Sequence, residues 1–287
     1  MKNVVITGSS SGFGFLAAKS LAEKGYKVWA TMRNPDSKNA EKKQELEGFN
    51  SNIKVLELDV TNDASVTNAI NKIAEEDTKI DTLINNAGVM YVGISEAYNI
   101  EQVKQQMDIN FYGIVRTTQA VLPYMRASKN GLIINTSSLA GRLSFPYFGI
   151  YNASKFAMEG YSQALRYEVA PFGVEVCIVE PGPFQTGLLY SGPKEAHDEV
   201  LADYGDFKDV PLAVLKNFEG FFNSEDALSP QVVVDDYVKL IETLKGERAT
   251  RTVSGIDYGT VDYNEKTQPI QDALISDVLQ MEHLLKY

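Results

Sequence analysis

Short runs of β-branched and aliphatic residues alternate along the chain with longer segments in which apolar positions recur every three or four residues. Seven of the short runs read as strands: Val4–Thr7, Lys27–Thr31, Ile53–Leu58, Thr82–Ile84, Leu132–Asn135, Val174–Val179 and Thr252–Val253. Near-continuous apolar runs of this kind suit strands buried on both faces, and their alternation with helical segments predicts a mostly parallel sheet covered by helices on both sides. Gly14–Lys24 reads as a helix closed by Gly25, and Asp63–Asp77 sets Val66, Ile70 and Ile73 on one helical face. Asn99 with Gln102 has the pattern of a helix start, opening a helix that runs past Val121 toward Pro123.

The section from Gly187 to Ser229 breaks this rhythm. It is rich in aromatic and acidic residues, Gly and Pro, and is expected to be a lid-like insertion with short helices. The tail is expected to be helical over Ile270–Leu285, with Ile275, Leu279 and Met281 free to pack or to meet a partner subunit. No internal repeat or interdomain linker interrupts the chain, so residues 1–287 are expected to form one domain.

Composition narrows the function. With 44% hydrophobic and 23% charged residues, the disordered and fibrous classes drop out. A net charge of -11 without any Lys/Arg-rich run opposes a phosphate backbone, so nucleic acid is not an expected partner. Only Val4-Val5-Ile6 precede Thr7-Gly8, too few for a signal peptide's apolar core or a membrane span, and the expected location is the cytoplasm without a membrane partner. The single cysteine, Cys177, lies in a strand-like run, so neither a disulfide nor a cysteine-histidine metal site is expected.

The stretch Gly8-Ser9-Ser10-Ser11-Gly12-Phe13-Gly14 fits two motifs. As G-x-S-x-G it is a nucleophile elbow with Ser10 at its tip; as G-x-G-x-x-A, ending at Ala17, it is a phosphate loop. An elbow needs an oxyanion donor from an earlier strand-helix loop and a histidine base. Seven residues precede Gly8, and the two histidines, His197 and His283, lie in the irregular section and the tail. A cofactor loop, by contrast, belongs after the first strand, where glycines admit a pyrophosphate to a helix N-terminus. The cofactor reading is preferred.

Tyr151-Asn152-Ala153-Ser154-Lys155 places Tyr151 and Lys155 on one helical face. An ammonium beside a phenol favours the phenolate and is expected to draw the tyrosine pKa from about 10 toward neutrality. Alone, this spacing is common by chance. Here Thr7-Gly8 with Gly12 and Gly14, then Asn85-Asn86-Ala87-Gly88, Asn110 with Gly113, Ser138, Tyr151 with Lys155, and Pro181-Gly182 followed by Thr186 occur in one order. Together they resemble the short-chain dehydrogenase/reductase family, in its single-domain branch, from about Asn3 to Thr186. The resemblance implies a Rossmann-type fold and hydride transfer between a nicotinamide and a carbonyl or secondary alcohol.

It further implies that Tyr151 is the general acid in reduction, that Ser138 binds the substrate oxygen, and that Lys155 lowers the tyrosine pKa and holds the nicotinamide ribose. Asn110 would support a water-linked relay to Lys155. Ser137 rivals Ser138, because adjacent residues leave a strand in opposite directions. The implied cofactor contacts are Gly8, Ser10, Ser11, Gly12, Phe13 and Gly14 in the first loop. Asp59 and Val60 would flank the adenine, and Asn86, Ala87 and Gly88 the middle of the cleft. Pro181, Gly182 and Thr186 would join Tyr151 and Lys155 at the nicotinamide. Cofactor choice turns on the second strand, where Met32 occupies the position of the acid an NAD enzyme uses and Arg33 follows. That favours NADP(H), since a guanidinium can fork onto a 2′-phosphate. Ser11 stands where many NADP enzymes of the family carry a basic residue, so dual use stays open.

Tyr91, Tyr147, Phe148, Phe184, Leu188 and Tyr190 are candidate pocket residues for a hydrophobic or aromatic ketone or secondary alcohol. The family usually assembles as dimers or tetramers, and Ala157, Tyr161, Ala164 and Leu165 can serve that contact or face the sheet. A non-catalytic NADP(H)-binding regulator is the alternative, and the complete Asn110, Ser138, Tyr151 and Lys155 set argues against it.

Overall fold

The structure is a computed structural model that describes residues 2–286. The expected strands are β1 (Asn3–Ile6), β2 (Lys27–Met32), β3 (Ile53–Glu57), β4 (Thr82–Asn85), β5 (Gly131–Thr136), β6 (Val174–Pro181) and β7 (Arg251–Ser254). They form a seven-stranded sheet in the order β3-β2-β1-β4-β5-β6-β7, and every pairing is parallel. Side-chain alternation divides β1 between the two faces. Val4 and Ile6 pack with α1 (Gly12–Glu23), Leu46 of α2 (Ala40–Phe49) and Val233, Val234 and Tyr237 of α9 (Gln231–Glu242). Val5 packs on the opposite face with α3 (Asp63–Asp77), α5 (Gly113–Ser128) and α6 (Gly149–Val169). The fold is therefore the doubly wound Rossmann type.

From β1 the chain crosses to β2 on one side and, after β3, to β4 on the other. Strand order reverses between β1 and β4, which opens a crevice beyond their carboxyl ends where ligands of such sheets bind.

Several elements depart from expectation. The Asn99 start is a complete capping box, with Gln102 N donating to Asn99 Oδ1 at 2.8 Å and Asn99 N to Gln102 Oε1 at 3.1 Å. The helix it opens is nevertheless divided, into α4 (Ile100–Met107) and α5, by a wide π turn at Asp108–Tyr112. Helix α5 runs through Pro123 to Ser128, because Val121 and Met125 on either side are fully buried against the sheet. The irregular section holds α7 (Asp198–Asp203) and a longer helix, α8 (Val210–Phe222), whose inward residues are aromatic rather than periodically aliphatic. Helix α2 escaped notice because it buries only Leu46, and α9 because it opens on the β-branched Val232-Val233-Val234.

In the tail, α10 (Thr260–Ala273) starts earlier than expected and gives way to a π turn at Leu274–Val278. Ile275 is buried, whereas Leu279 and Met281 remain exposed. No helix among the described residues is long and apolar enough to cross a membrane, and no acid, histidine or cysteine cluster among them could hold a metal ion.

Leu83 sits at the centre of the sheet, paired with Val5 on β1 and Ile133 on β5 and fully buried. Leu83→Ala is expected to lower stability by about 2–5 kcal/mol, read from the midpoint of urea unfolding.

Candidate active site

The loop between β1 and α1 is fixed from the side by β4. Thr7 Oγ1 accepts from the backbone N–H of Asn86 at 3.0 Å and of Ala87 at 3.1 Å. Asn86 Nδ2 donates back to the carbonyls of Thr7 and Gly8, at 3.0 and 3.2 Å. These bonds leave no room for side chains at the crossing. Gly8 has φ +71°, and a Cβ there would lie 2.8 Å from Ala87 Cα; one on Gly14 would lie 2.5 Å from Asn86 Nδ2.

Helix α1 starts at this point with no acidic residue in its first turn and no side-chain cap from Ser11. Its first N–H groups are therefore free for an anionic ligand. Gly8, Ser10, Ser11, Gly12 and Phe13 line a cleft of about 590 Å³, while Gly14 lies beneath it as a packing residue. Ser10 has no histidine near it. His197 and His283 lie outside the cleft lining, and His197 is within 3.3 Å of Glu199, so the elbow reading has no base. The first serine of the loop, Ser9, is buried and donates to the Ile6 carbonyl at 3.1 Å.

The other end of the cleft gathers Ser138, Tyr151 and Lys155. Ser138 is extended (φ -171°, ψ 163°) at the end of β5, so it and Ser137 point to opposite sides. The Ser138 hydroxyl lies beside the Tyr151 phenol and accepts from the Ala140 N–H at 3.1 Å. Ser137 Oγ reaches only the Ser138 carbonyl, at 3.5 Å. Ser138 is the serine that faces the tyrosine. Lys155 Nζ donates to the Thr136 carbonyl at 2.8 Å and lies 5.7 Å from the Tyr151 ring centre.

Burial governs both ionisable groups. It pushes Tyr151 up to about 12, opposed only by the Ser138 hydroxyl, and pushes Lys155 down to about 8. The expected fall of the tyrosine pKa toward neutrality is thus not found. Desolvation of the phenolate outweighs an ammonium that is directed at a backbone carbonyl.

Asn110 occupies the π turn and does not line the cleft. Its amide accepts from Val89 N at 2.9 Å and donates to the Val89 carbonyl at 2.8 Å and to Ser154 Oγ at 3.0 Å. The side chain ties the segment after β4 to α6, with both of its amide hydrogens engaged. Met90, just beyond, lines the cleft beside Asn86, Ala87 and Gly88.

At the end of β2, Arg33 lines the cleft as expected, together with a second cation, Lys38, that the motif did not single out. Asp36, the acid of this loop, pairs with Lys43 at 2.7 Å, and neither Arg33 nor Lys38 makes an ion pair among the described residues. Asp59 and Val60 line the adjoining wall. Asp59 Oδ1 accepts from Thr61 N at 2.9 Å and Thr61 Oγ1 at 2.8 Å, so its side chain also caps the turn. Pro181, Gly182 and Thr186 line the far side, and Thr186 Oγ1 accepts from Leu188 N at 3.4 Å.

The substrate wall is only partly the expected one. Phe148, Phe184 and Leu188 line the cleft, whereas Tyr91 is buried against Tyr98, Tyr147 opens onto a separate groove, and Tyr190 is exposed and bound to Glu219. Tyr147 has φ +68°, and this left-handed step turns the chain so that Phe148 rather than Tyr147 faces the cleft. Phe145, Phe218, Phe222 and Tyr258 complete the wall. Phe218 packs edge-on against Phe148 at 6.2 Å and stacks with Phe222 at 6.2 Å, so α8 roofs the site. On the outer side of α6, Leu165 is buried and Tyr161 packs on the core, leaving Ala164 exposed; the first two are therefore sheet-facing.

A parallel sheet whose switch point carries a glycine loop, with a Ser-Tyr-Lys group at the far end of the same cleft, defines the class of nicotinamide-dependent oxidoreductases. The family model for short chain dehydrogenases matches residues 2–196, and the chain belongs to the short-chain dehydrogenase/reductase family. It is 47% identical over 216 residues to a 3-ketodihydrosphingosine reductase of Bacteroides thetaiotaomicron, covering 75% of each chain. It is 37% identical over 261 residues to retinol dehydrogenase 8 of Bos taurus, covering 88% of this chain and 81% of that one. A short-chain dehydrogenase from Streptomyces avermitilis superposes with a TM-score of 0.75 at 27% identity, over 98% of this chain and 97% of that one.

Because a Cβ at Gly8 meets the Ala87 backbone and the residue holds a left-handed conformation, Gly8→Ala is expected to weaken dinucleotide binding by roughly tenfold or more in a fluorescence titration.

Proposed function

We propose that the protein is an NADP(H)-dependent reductase of a hydrophobic ketone, with Tyr151 as proton donor. The observation that carries this reading is the buried Tyr151 phenol, set beside Ser138 and roofed by aromatic side chains. A carbonyl placed between Ser138 and Tyr151 would meet two donors where negative charge develops on its oxygen. A reduced nicotinamide bound in the cleft would supply the hydride.

The elevated tyrosine pKa supports reduction over oxidation. A phenol at about 12 stays protonated through neutral pH and is ready to give a proton, whereas the reverse reaction needs the phenolate. Lys155 is still mainly charged at neutral pH and would hold the ribose hydroxyls and stabilise the phenolate left after transfer. Asn110, with both amide hydrogens committed, would enter a water-linked relay as an acceptor.

The preference for NADP(H) is supported by Arg33 and Lys38, two cations without acidic partners, and by Met32 in place of a carboxylate. The Phe148, Phe218 and Phe222 wall supports a hydrophobic substrate, in keeping with the keto substrate in the name of the Bacteroides relative. In this reading residues 1–287 are one domain, the section 187–229 is the substrate lid, and the enzyme works in the cytoplasm as a homodimer or homotetramer. Exposed Tyr112 and Phe156, beside α5 and on α6, support assembly.

Tyr151→Phe is expected to cut kcat by about 10²–10⁴ while leaving NADPH binding in place. Turnover of a panel of hydrophobic ketones with NADPH and NADH side by side tests the whole reading; tight NADPH binding without turnover on any ketone would favour the regulator instead. Replacing both Arg33 and Lys38 by Ala is expected to raise KM for NADPH by roughly tenfold or more and to leave KM for NADH nearly unchanged. The rate of reduction is expected to fall as pH rises through about 8, where Lys155 gives up its proton.

A further inference from the structure

Polar groups continue beyond Lys155 into the interior. Tyr151, Lys155 and Glu159 follow one another at four-residue steps on α6, so they share a face, and all three are buried. Glu159 Oε2 pairs with Arg251 Nη1 of β7. The same Nη1 reaches Glu180 Oε1 of β6 at 2.6 Å, and Arg251 Nη2 donates to Gln163 Oε1 at 3.4 Å. Glu180 Oε2 accepts from Asn264 Nδ2 of α10 at 2.6 Å. Arg142, from the turn after Ser138, donates to Asn264 Oδ1 at 2.7 Å and to Thr267 Oγ1 at 2.8 Å.

Arg251 thus bonds two buried carboxylates, and Arg142 adds a second positive charge within electrostatic range of both. Burial and the charge of Glu159 push Glu180 up to about 7. Glu159 Oε1 is buried without any hydrogen-bond partner. That oxygen lies on the active-site side of the network, because a Cβ placed on Gly141 would be 3.3 Å from it and 2.6 Å from Ser137 Oγ. A half-paired carboxylate in a dry interior is destabilising if its role is packing alone, and a neutral side chain of the same shape would serve better. One helical turn away, Lys155 has the complementary problem. Its Nζ is buried and bonded to a neutral carbonyl, a setting that drives an ammonium to deprotonate unless a negative charge stands near.

We propose that Glu159 is a positioning residue that keeps Lys155 protonated, and that Arg251 and Glu180 set how much of its charge Lys155 feels. This rests on the reading of Lys155 as the ammonium beside the proton donor. The groups around Lys155 are accounted for from each packed element. Tyr151 and Glu159 come from α6, the Thr136 carbonyl from β5, Glu180 from β6, Arg251 from β7 and Arg142 from the turn after β5. Tyr237 of α9 bonds Thr136 Oγ1, and Asp236 of α9, a carboxylate held by the neutral Ser254 hydroxyl, is a further negative charge on that side. Tyr263 of α10 lies under Arg142. Glu159 is the one carboxylate with an unpartnered oxygen.

The test is the titration of Lys155 in the full-length protein without cofactor, followed by NMR of its side-chain methylene next to nitrogen, in wild type, Glu159→Gln and Glu159→Asp. Glu159→Gln is expected to lower the midpoint by roughly one pH unit or more, and Glu159→Asp to restore most of it. The alkaline limb of kcat for ketone reduction should move down by the same amount. Glu180→Gln, which leaves Arg251 to Glu159 alone, should move both in the same direction by less, and serves where Glu159→Gln does not fold. An unmoved Lys155 midpoint, or a loss of activity equal at every pH, overturns the proposal. Tyr151→Phe separates the two questions: an active Tyr151→Phe enzyme sinks the proton-donor reading whatever Lys155 does, whereas an inactive Tyr151→Phe enzyme together with an unmoved Lys155 midpoint in Glu159→Gln sinks only the role of Glu159.

Discussion

The side chains of Thr7 and Asn86 close the sheet at the point where its strand order reverses. Four bonds pass between the end of β1 and the end of β4, and they fix two backbones that must diverge immediately afterwards. Once the crossing is set, Gly8 and Gly14 have no space for a Cβ, α1 must begin where it does, and its free N–H groups face the crevice. A cofactor cradle here is a consequence of how the sheet is fastened.

A second polar layer fixes the register of the catalytic helix. Apolar contacts alone would let α6 slide along a uniformly aliphatic sheet, whereas directional bonds do not. Asn85 donates to Asn135 Oδ1 at 2.8 Å, Asn135 donates to Ser162 Oγ of α6 at 2.8 Å, and Thr117 of α5 donates to Asn85 Oδ1 at 2.6 Å, all in the interior. Asn110 adds a tie through Ser154. Tyr151 and Lys155 therefore reach the end of β5 at a fixed height, and Ser138 emerges from that strand facing them.

What could be read from the sequence follows from which signals are local. Strands show because each is a short apolar run, and the cofactor loop because glycines and a strand-helix junction are contiguous. The Tyr151 and Lys155 pair shows because helical spacing is arithmetic. Helix α8 was hidden because the residues it turns inward, Phe218 and Phe222, face a cavity rather than a sheet and are aromatic rather than aliphatic. Tyr91 and Tyr190 were misplaced for a related reason: closeness in sequence to catalytic residues does not give direction, and Tyr91 turned inward to Tyr98 while Tyr190 turned outward to Glu219. Lys38 escaped because only folding of the loop brings it beside Arg33. Least legible was the balance of burial against charge at Tyr151, which depends on how much water the fold removes.

That balance ties the aromatic roof of the cleft to the chemistry proposed beneath it. The roof formed by Phe218 over Phe148 and Tyr151 excludes water, and the same exclusion raises the tyrosine and lowers the lysine. A tighter roof makes the phenol a more persistent proton carrier but weakens the hold of the site on the lysine proton, so the site needs a compensating negative charge that does not itself bring water. A carboxylate on α6, anchored from behind by Arg251 and approached by no solvent, meets that requirement. In the proposed reductase, substrate selectivity and the charge state of Lys155 would thus be linked through one variable, the dryness of the cleft.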